Sequence, residues 1–291
     1  MADLMYGRRP PKGSPSIKFA DIRTAVVPDH PASEDYLGDF KNWQMLGNDT
    51  YGDCVAVTWA NMRRMITGGL TEKEYYPTID QVYQVYRLQN PNFVPNPSNP
   101  VEDNGMDIQT LLEYLNKYGG PDGVPVVAFA SVDYKNLEEV KAALAIFGGV
   151  WVGINVQAEN ETEFKQGQPW DYVQGSKIVG GHSILGGGYW SQSADDVRFI
   201  TWAQETGFTD NFWSHSVEEV WAAIWPEHLG TKEFMAGIDQ TALAADYQAI
   251  TGRPLPLTPP TPLPQPPQPT PVPAPPGNGC LNMLGQFFKG G

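Results

Sequence analysis

The hydrophobic positions of the first 150 residues recur mainly with helical spacing. From Cys54 to Thr67, apolar side chains return every three or four residues along the chain. The pair Gly68-Gly69 follows at once and predicts the end of this helix. Cys54 is therefore expected at a helix N-terminus.

Three more helices are predicted in this half of the chain. The pattern Thr78-Ile79-Asp80-Gln81 is typical of a capping box and begins the second helix, which a Pro- and Asn-rich loop over residues 90–104 ends. Further apolar stripes predict helices over residues 107–118 and 137–147. Residues 1–40 are rich in Pro, Gly and charge without a period, so we expect an extended arm there.

The second half of the chain has a different pattern. Short β-branched and aromatic runs at residues 150–156, 182–189 and 197–202 predict strands, and His182 would open the second of them. A capping-box pattern at Ser216 predicts a helix up to Trp225, before Pro226. A last strand and helix would close the domain near residue 250, so an α+β domain over residues 41–252 is expected.

A proline-rich segment follows the domain. Thirteen of the 23 residues from 254 to 276 are proline, which favours polyproline II and predicts a linker over residues 253–279. At ~3.1 Å per residue this linker reaches roughly 70 Å when extended. The apolar peptide of residues 280–291 is either a frayed end or an anchor, with Leu281–Phe288 filling a groove of a partner protein.

Charge and composition restrict the classes of partner. The net charge of -14 and the absence of a basic run argue against a nucleic acid partner. Cys54 and Cys280 are the two cysteines and lie on either side of the proline tract, so a structural disulfide is not expected. The N-terminus lacks the apolar region of a signal peptide and no run of eighteen apolar residues exists, so we expect synthesis in the cytoplasm and no transmembrane segment.

The residues before Cys54 carry the first resemblance to a known family. Asn48 lies six residues before Cys54 and Gly52 two residues before it. This arrangement resembles papain-like cysteine peptidases, in which a Gln at the first position donates to the oxyanion and the glycine permits a tight turn. The resemblance implies Cys54 as nucleophile and Asn48 as oxyanion donor. A helix N-terminus would lower the pKa of the thiol, which agrees with this role.

The partner of the thiol is expected in a second motif. Gly180-Gly181-His182 followed by a strand looks like the histidine motif of the same family, which implies His182 as general acid and base. In the next strand the family has an Asn that orients the His, but an ungapped alignment places Trp202 there, which cannot accept a hydrogen bond. Either Gln204, a shifted residue or a backbone carbonyl orients His182, or the site has lost catalytic power.

Residues 43–225 also resemble an uncharacterised branch of papain-like proteins from actinobacteria, other bacteria and tailed phages. The shared motifs appear in order: Gly47 to Cys54, the sequence Phe-Gly-Gly-Val at residues 147–150, Gly-Gly-His at 180–182 and Thr-Trp at 201–202. Ala203 departs from the glycine of the branch. The resemblance implies a helical N-terminal lobe, a β-rich C-terminal lobe and a site in the cleft between them.

Simpler interpretations exist for each residue. A cysteine at a helix start is most often a small buried hydrophobe, and a single histidine is most often a packing residue. No group of His, Cys and carboxylates has the spacing of metal ligands, so neither a metal nor a cofactor is expected. Asp53, next to the thiol, would raise the pKa of Cys54 unless its charge points away.

Three hypotheses for function follow. The first is a cysteine hydrolase of a peptide or amide bond, with a peptide or peptidoglycan-like substrate in the cleft, associated with a phage and carried on the virion. The second is a structural or accessory phage protein, of capsid or tail, with a degenerate domain tethered by the proline-rich segment. The third is an intracellular housekeeping peptidase, which leaves the C-terminal tail unexplained.

Overall fold

The computed structural model describes residues 4–24, 30–190 and 197–256, except for the side chain of Trp190. The helices in these ranges are α1 Phe19–Ile22, α2 Cys54–Leu70, α3 Ile79–Tyr86, α4 Ile108–Tyr118, α5 Leu137–Phe147, α6 Ala158–Gln166, α7 Asp210–Ser216, α8 Lys232–Gly237 and α9 Gln240–Thr251, with a 3-10 turn at Pro226–His228. The strands are β1 Ile17–Lys18, β2 Ser33–Asp35, β3 Ala128–Val132, β4 Val150–Gln157, β5 Ile178–Trp190, β6 Val197–Thr201, β7 Gln204–Gly207 and β8 Val217–Ile224. The predicted linker and C-terminal peptide lie outside the described residues, apart from residues 253–256.

The strands form one mixed sheet. Its order is β1-β3-β8-β4-β5-β6-β7, and β2 adds to the side of β5. Only the β1–β3 pair is parallel, and the other described pairs are antiparallel. In the central ladder Ile154 pairs with His182 and Gly153 pairs with Ser183. The long strand β5 therefore carries His182 through the middle of the sheet.

Both faces of the sheet are covered by packed side chains. Side chains of a strand alternate between faces, and in β4 the indole of Trp151 joins one hydrophobic cluster whereas Val150 and Val152 join the other. Trp151 packs with the buried faces of α2, α3 and α4. Val150 and Val152 pack with α5 and with β3. Helices α2, α3 and α4 thus lie against the sheet face that Trp151 occupies, and α5 lies against the opposite face.

The strongest helix predictions are confirmed. Thr78 caps α3 with a complete capping box, and Asp107 caps α4 through the N–H of Thr110. The predicted helix over residues 137–147 is α5, which Gly148 ends with a φ of 71°. The predicted end of α2 is wrong by three residues, because the helix continues through Gly68 to Leu70.

The predicted helix from Ser216 to Trp225 is wrong. Ser216 instead ends the short helix α7, and residues 217–224 form β8 between β3 and β4. Because β8 is a central strand and is buried on both faces, its apolar positions do not alternate and resemble a buried helix. The predicted last strand near residue 250 is also absent from the described residues, where α8 and α9 follow instead.

His182 does not open its strand. Residues 178–181 already pair with β4, so His182 is the fifth residue of β5. The two glycines before it do not end the strand because the ladder with β4 satisfies their backbone groups. None of the helices in the described ranges is long and apolar enough to cross a membrane.

Candidate active site

The thiol of Cys54 lies at the start of α2 and is fully buried. The backbone N–H groups of Ser183 and Gly7 both donate hydrogen bonds to its sulfur. One donor belongs to β5 and the other belongs to the N-terminal arm. The thiol is thus held between the sheet and a segment of the protein's own chain.

The contact with Ser183 brings the two motifs together, because Ser183 directly follows His182. The Ser183 hydroxyl lies 3.0 Å from the Thr58 hydroxyl of α2 and accepts a hydrogen bond of 3.1 Å from Trp151 Nε1. These bonds fix β5 against the first turns of α2. The backbone next to His182 therefore lies against the start of α2, although the two elements are far apart in sequence.

The imidazole of His182 is buried and has a polar partner at one nitrogen. Its Nε2 lies 2.6 Å from the hydroxyl oxygen of Thr201. Its Nδ1 is buried and has no hydrogen-bond partner among the described residues. The indole of Trp202 stacks on one face of the ring, with centroids 4.4 Å apart. The Tyr6 ring meets the imidazole edge-on at 6.0 Å.

A tight hairpin places Thr201 and Trp202 on different sides of the imidazole. Trp202 and Ala203 have φ values of 41° and 59° and join β6 to β7, as in a type I′ turn. Thr201 is the last residue of β6 and keeps its strand position. Because the turn begins at Trp202, its indole lies over the face of the His182 ring. The indole Nε1 donates to the backbone oxygen of Asn48 at 3.2 Å.

The other two predicted site residues have different surroundings. Asn48 is buried, and its side-chain oxygen has no hydrogen-bond partner among the described residues. Its backbone is tied to the site by the bond from Trp202. Gln204, the predicted candidate for orienting His182, has an exposed side chain at the start of β7. The oxygen beside His182 Nε2 belongs instead to Thr201, because the hairpin turns the chain before Gln204 reaches the ring.

The N-terminal segment crosses the site as an added strand. The Arg8 N–H donates to Gly181 O at 2.9 Å, one residue before His182. On the other side, the Met106 N–H donates to Gly7 O at 2.7 Å and the Arg9 N–H donates to Met106 O at 2.8 Å. Backbone hydrogen bonds on both sides of residues 7–9 therefore hold this segment in a groove.

Glycines make this close approach feasible. A Cβ atom on Gly7 would lie 1.9 Å from the backbone oxygen of Gly52. Likewise, a Cβ on Gly181 would lie 2.3 Å from Arg8 O, and one on Gly105 would lie 2.1 Å from Gly7 O. Backbone atoms cannot move aside cheaply at such distances, so the fit depends on the missing side chains.

The side chain of Arg8 enters a buried acidic pocket. Its guanidinium donates to Glu219 at 2.9 Å, to Asn155 Oδ1 at 3.2 Å and to Ile154 O at 3.3 Å, and it also pairs with Glu218. The Arg8 side chain is 1% exposed. The arm is thus fixed both by its backbone and by a charged side chain.

Burial keeps the thiol and the imidazole neutral. It raises the pKa of Cys54 to about 12, although the N–H groups of Ser183 and Gly7 oppose this shift. Burial also lowers the pKa of His182 to about 3, and the positive charge of Arg8 acts in the same direction. The Arg8 charge lowers the pKa of Cys54 as well, but burial has the larger effect, so the covered site holds a thiol and a neutral imidazole rather than an ion pair.

Asp53 lies directly before the thiol in a fully buried position. It is fully buried, and neither carboxyl oxygen has a hydrogen-bond partner among the described residues. Burial, followed by the charge of Asp103, raises the pKa of Asp53 well above its ordinary value. The charge of Asp53 is among the causes that raise the pKa of Cys54, as the sequence led us to expect.

Sequence reasoning missed the residues that complete the site. Thr201 directly precedes the tryptophan that the alignment placed at the orienting position. Gly7 and Arg8 lie in a segment without a periodic pattern, so nothing local indicated their contacts. No group of three or more His, Cys, Asp or Glu side chains in the described ranges is arranged to hold a metal ion.

Comparisons with known proteins identify the fold. The structure is similar to the crystal structure of xylellain, a cysteine protease from Xylella fastidiosa, with a TM-score of 0.60 and 15% identity over 76% of this chain and 96% of that one. A further neighbour is procathepsin B S9 from Trypanosoma congolense, with a TM-score of 0.49 and 12% identity over 76% and 86% of the two chains. No protein-family model and no curated protein matches the sequence. The described chain therefore has a mixed α/β fold similar to that of papain-like cysteine proteases.

Proposed function

We propose that this protein is a papain-like cysteine hydrolase of peptide or amide bonds, held in a covered state by its own residues 4–9. Cys54 is the nucleophile, His182 is the general acid and base, and Asn48 donates to the oxyanion. Thr201 takes the positioning role that was expected of Gln204. The site lies in a cleft between a helical N-terminal lobe and a β-rich C-terminal lobe.

One observation carries the proposal: an extended peptide already lies across the thiol. The Gly7 N–H donates to the sulfur of Cys54, and backbone bonds to Gly181 and Met106 hold the segment on both sides. A groove that binds an extended backbone in this way can position a substrate peptide by the same donors and acceptors. The segment therefore supports a peptide as the substrate class.

The residues suffice for acyl transfer through a thioester. The proton of the Cys54 thiol moves to His182 Nδ1 as the sulfur bonds to the carbonyl carbon. The negative charge on the carbonyl oxygen is held by the Asn48 amide and the Cys54 N–H. When the C–N bond breaks, His182 gives the proton to the leaving amine. Water, deprotonated by His182, then cleaves the thioester.

The covered state explains why the pair is neutral. Displacing the arm admits water, which removes the largest cause that raises the pKa of Cys54 and outweighs the loss of the Arg8 charge and the Gly7 N–H, which both lower it. For His182, the entry of water and the loss of the Arg8 charge both raise the pKa. The positive end of α2 then favours the thiolate. The uncovered site can form the ion pair that the covered site disfavours.

The test compares the full chain with its Gly7→Ala variant, whose new Cβ cannot fit beside Gly52. We expect iodoacetamide to alkylate Cys54 at least tenfold faster in the variant than in the unchanged chain. We also expect the variant to digest casein, and this digestion to require Cys54. Lys12→Ala, at an exposed arm position, is the matched control. Slow alkylation and no digestion in a folded Gly7→Ala protein would contradict a catalytic site.

We also propose that the domain is carried with a phage particle, as hydrolase or as a degenerate accessory domain. The support lies in the sequence, where the proline-rich residues 254–276 are followed by the apolar Leu281–Phe288. Both segments lie outside the described residues, apart from residues 254–256 of the proline-rich segment. Deletion of residues 277–291 should abolish incorporation into particles, and unchanged incorporation would refute the anchor.

A further inference from the structure

We propose that the pocket around the Arg8 guanidinium is the specificity pocket of this site and that it selects a basic substrate side chain, arginine above lysine. The inference rests on the proposed hydrolase function. In the covered state Arg8 occupies the position of that substrate side chain. The carboxylates of this pocket belong to Glu218 and Glu219 of β8.

The pocket is organised by the domain itself. Asn155 Nδ2 donates to Glu218 Oε1 at 2.6 Å, and Trp221 Nε1 donates to Glu219 Oε2 at 2.7 Å. Neither bond involves the arm. The carboxylate oxygens that face Arg8 therefore stay oriented when the arm leaves, and a preorganised acidic pocket remains.

The pocket also has room for a long aliphatic stem. A Cβ on Gly153 would lie 2.8 Å from the Cδ of Arg8 and 2.6 Å from the Cγ of Glu219. Gly153 lies in the middle of β4, where a side chain would otherwise be expected. The missing side chain opens the path along which the arginine stem reaches the carboxylates.

The geometry favours a guanidinium over an ammonium group. The Arg8 Nη1 reaches Glu219, whereas Nη2 reaches both Asn155 and Glu218. Both Nε and Nη2 lie 3.3 Å from Ile154 O. A planar fork satisfies acceptors in several directions at once, which a single ammonium nitrogen does less well.

The residue that fills the pocket, Arg8, directly follows the residue that contacts the thiol. The Gly7 N–H contacts the thiol, and the next residue, Arg8, donates its N–H to Gly181 O beside His182. A substrate that uses the same backbone partners would therefore place one side chain in the acidic pocket while its carbonyl lies near Cys54. Charge at this position would then decide which peptides are positioned for attack.

The experiment uses the full chain with Gly7→Ala and Arg8→Ala, which unseats the arm and empties the pocket. Acetylated pentapeptide amides that differ only in the central residue, arginine, lysine or norleucine, are titrated by calorimetry. We expect arginine to bind at least tenfold more tightly than norleucine, with lysine between them. Adding Glu219→Gln should reduce the preference to less than threefold, whereas Glu205→Gln, which alters a surface partner of Arg198, should leave it unchanged.

Equal binding of the three peptides, no binding, or a preference that survives Glu219→Gln would overturn the inference and leave Arg8 as a structural clamp. If the double variant does not fold, Gly7→Ala alone is used, since it keeps Arg8 but unseats its backbone. Iodoacetamide labelling of Cys54 in the same proteins separates the two proposals. A reactive thiol without basic preference refutes the pocket alone, and a basic preference with an inert thiol refutes the hydrolase alone.

Discussion

The imidazole of His182 lies nearly parallel to the indole of Trp202, at an interplanar angle of 23°. The indole also donates to the backbone oxygen of Asn48, so one side chain contacts both His182 and the loop before Cys54. The indole cannot accept a hydrogen bond from the ring, but it restricts rotation of the ring by covering its face. The polar contact at Nε2 is left to Thr201.

Thr201→Val should slow acyl transfer by roughly 10- to 100-fold in the Gly7→Ala background. It removes the oxygen beside Nε2 and leaves a buried ring nitrogen unsatisfied, at a cost of about 1–3 kcal/mol. The measurement is kcat and KM on a peptide ester, together with the ¹⁵N shifts of the His182 ring, which report its tautomer. Thr201→Ser should restore both. A Val variant with unchanged kcat and tautomer would show that Thr201 only packs.

Ala203→Gly should stabilise the protein by about 1 kcal/mol. Ala203 has a φ of 59°, in the left-handed region where a Cβ is unfavourable and glycine is not. Urea unfolding measures the gain, and Ala145→Gly inside α5 is the control, where the same substitution should destabilise. A loss of stability at position 203 would mean that the alanine methyl group packs better than its strain costs.

Arg8→Ala should lower the free energy of unfolding by about 3 kcal/mol, because it leaves Glu218 and Glu219 without their buried cation. Arg9→Ala provides the matched control, because Arg9 directly follows Arg8 and has an exposed side chain. Chemical denaturation of both variants at pH 7 makes the comparison. Equal stability of the two would show that the acidic pocket readily exchanges Arg8 for water.

Acid should destabilise the fold through His228. Its Nδ1 accepts from the Trp225 N–H at 3.0 Å and its Nε2 lies 3.1 Å from Phe147 O, so the ring is held neutral. Burial lowers its pKa to about 4 from an ordinary value of 6.5. The folded state thus resists a proton that the unfolded state accepts, and stability present above pH 6.5 is lost as the pH falls toward 4.

The loss from this residue amounts to about 3 kcal/mol over that range. His228→Gln should therefore show a shallower dependence of unfolding free energy on pH between 6.5 and 4 than the wild type. The difference between the two slopes should approach one proton. Identical slopes would indicate that the ring is protonated in the folded protein.

The sequence predicted the site better where chemistry is local than where it depends on tertiary contacts. The helix start at Cys54 follows from a periodic pattern, and α2 begins at that residue. The contact between Thr201 and His182 could not be predicted in the same way, because it depends on where the β6–β7 turn begins. An ungapped alignment assumes that the strand continues, whereas the chain reverses at Trp202.

The larger fold had the same limit. Capping side chains specified α3 and α4 because their partners lie three residues away. The strand β8 could not be distinguished from a helix because its burial comes from neighbours on both sides of the sheet. The contacts of Gly7 with Gly52 and Gly105 join distant segments and leave no periodic signal.

The attachment of residues 4–9 to the domain has a further consequence. A peptide tethered beside its own binding site competes at an effective concentration on the order of millimolar. A free peptide at micromolar concentration therefore cannot displace it unless its intrinsic affinity is about a thousandfold higher. Cutting the chain between Arg9 and β1 would change this competition from intramolecular to bimolecular without altering any contact. Access to Cys54 is then governed by the connectivity of the chain more than by the strength of the groove.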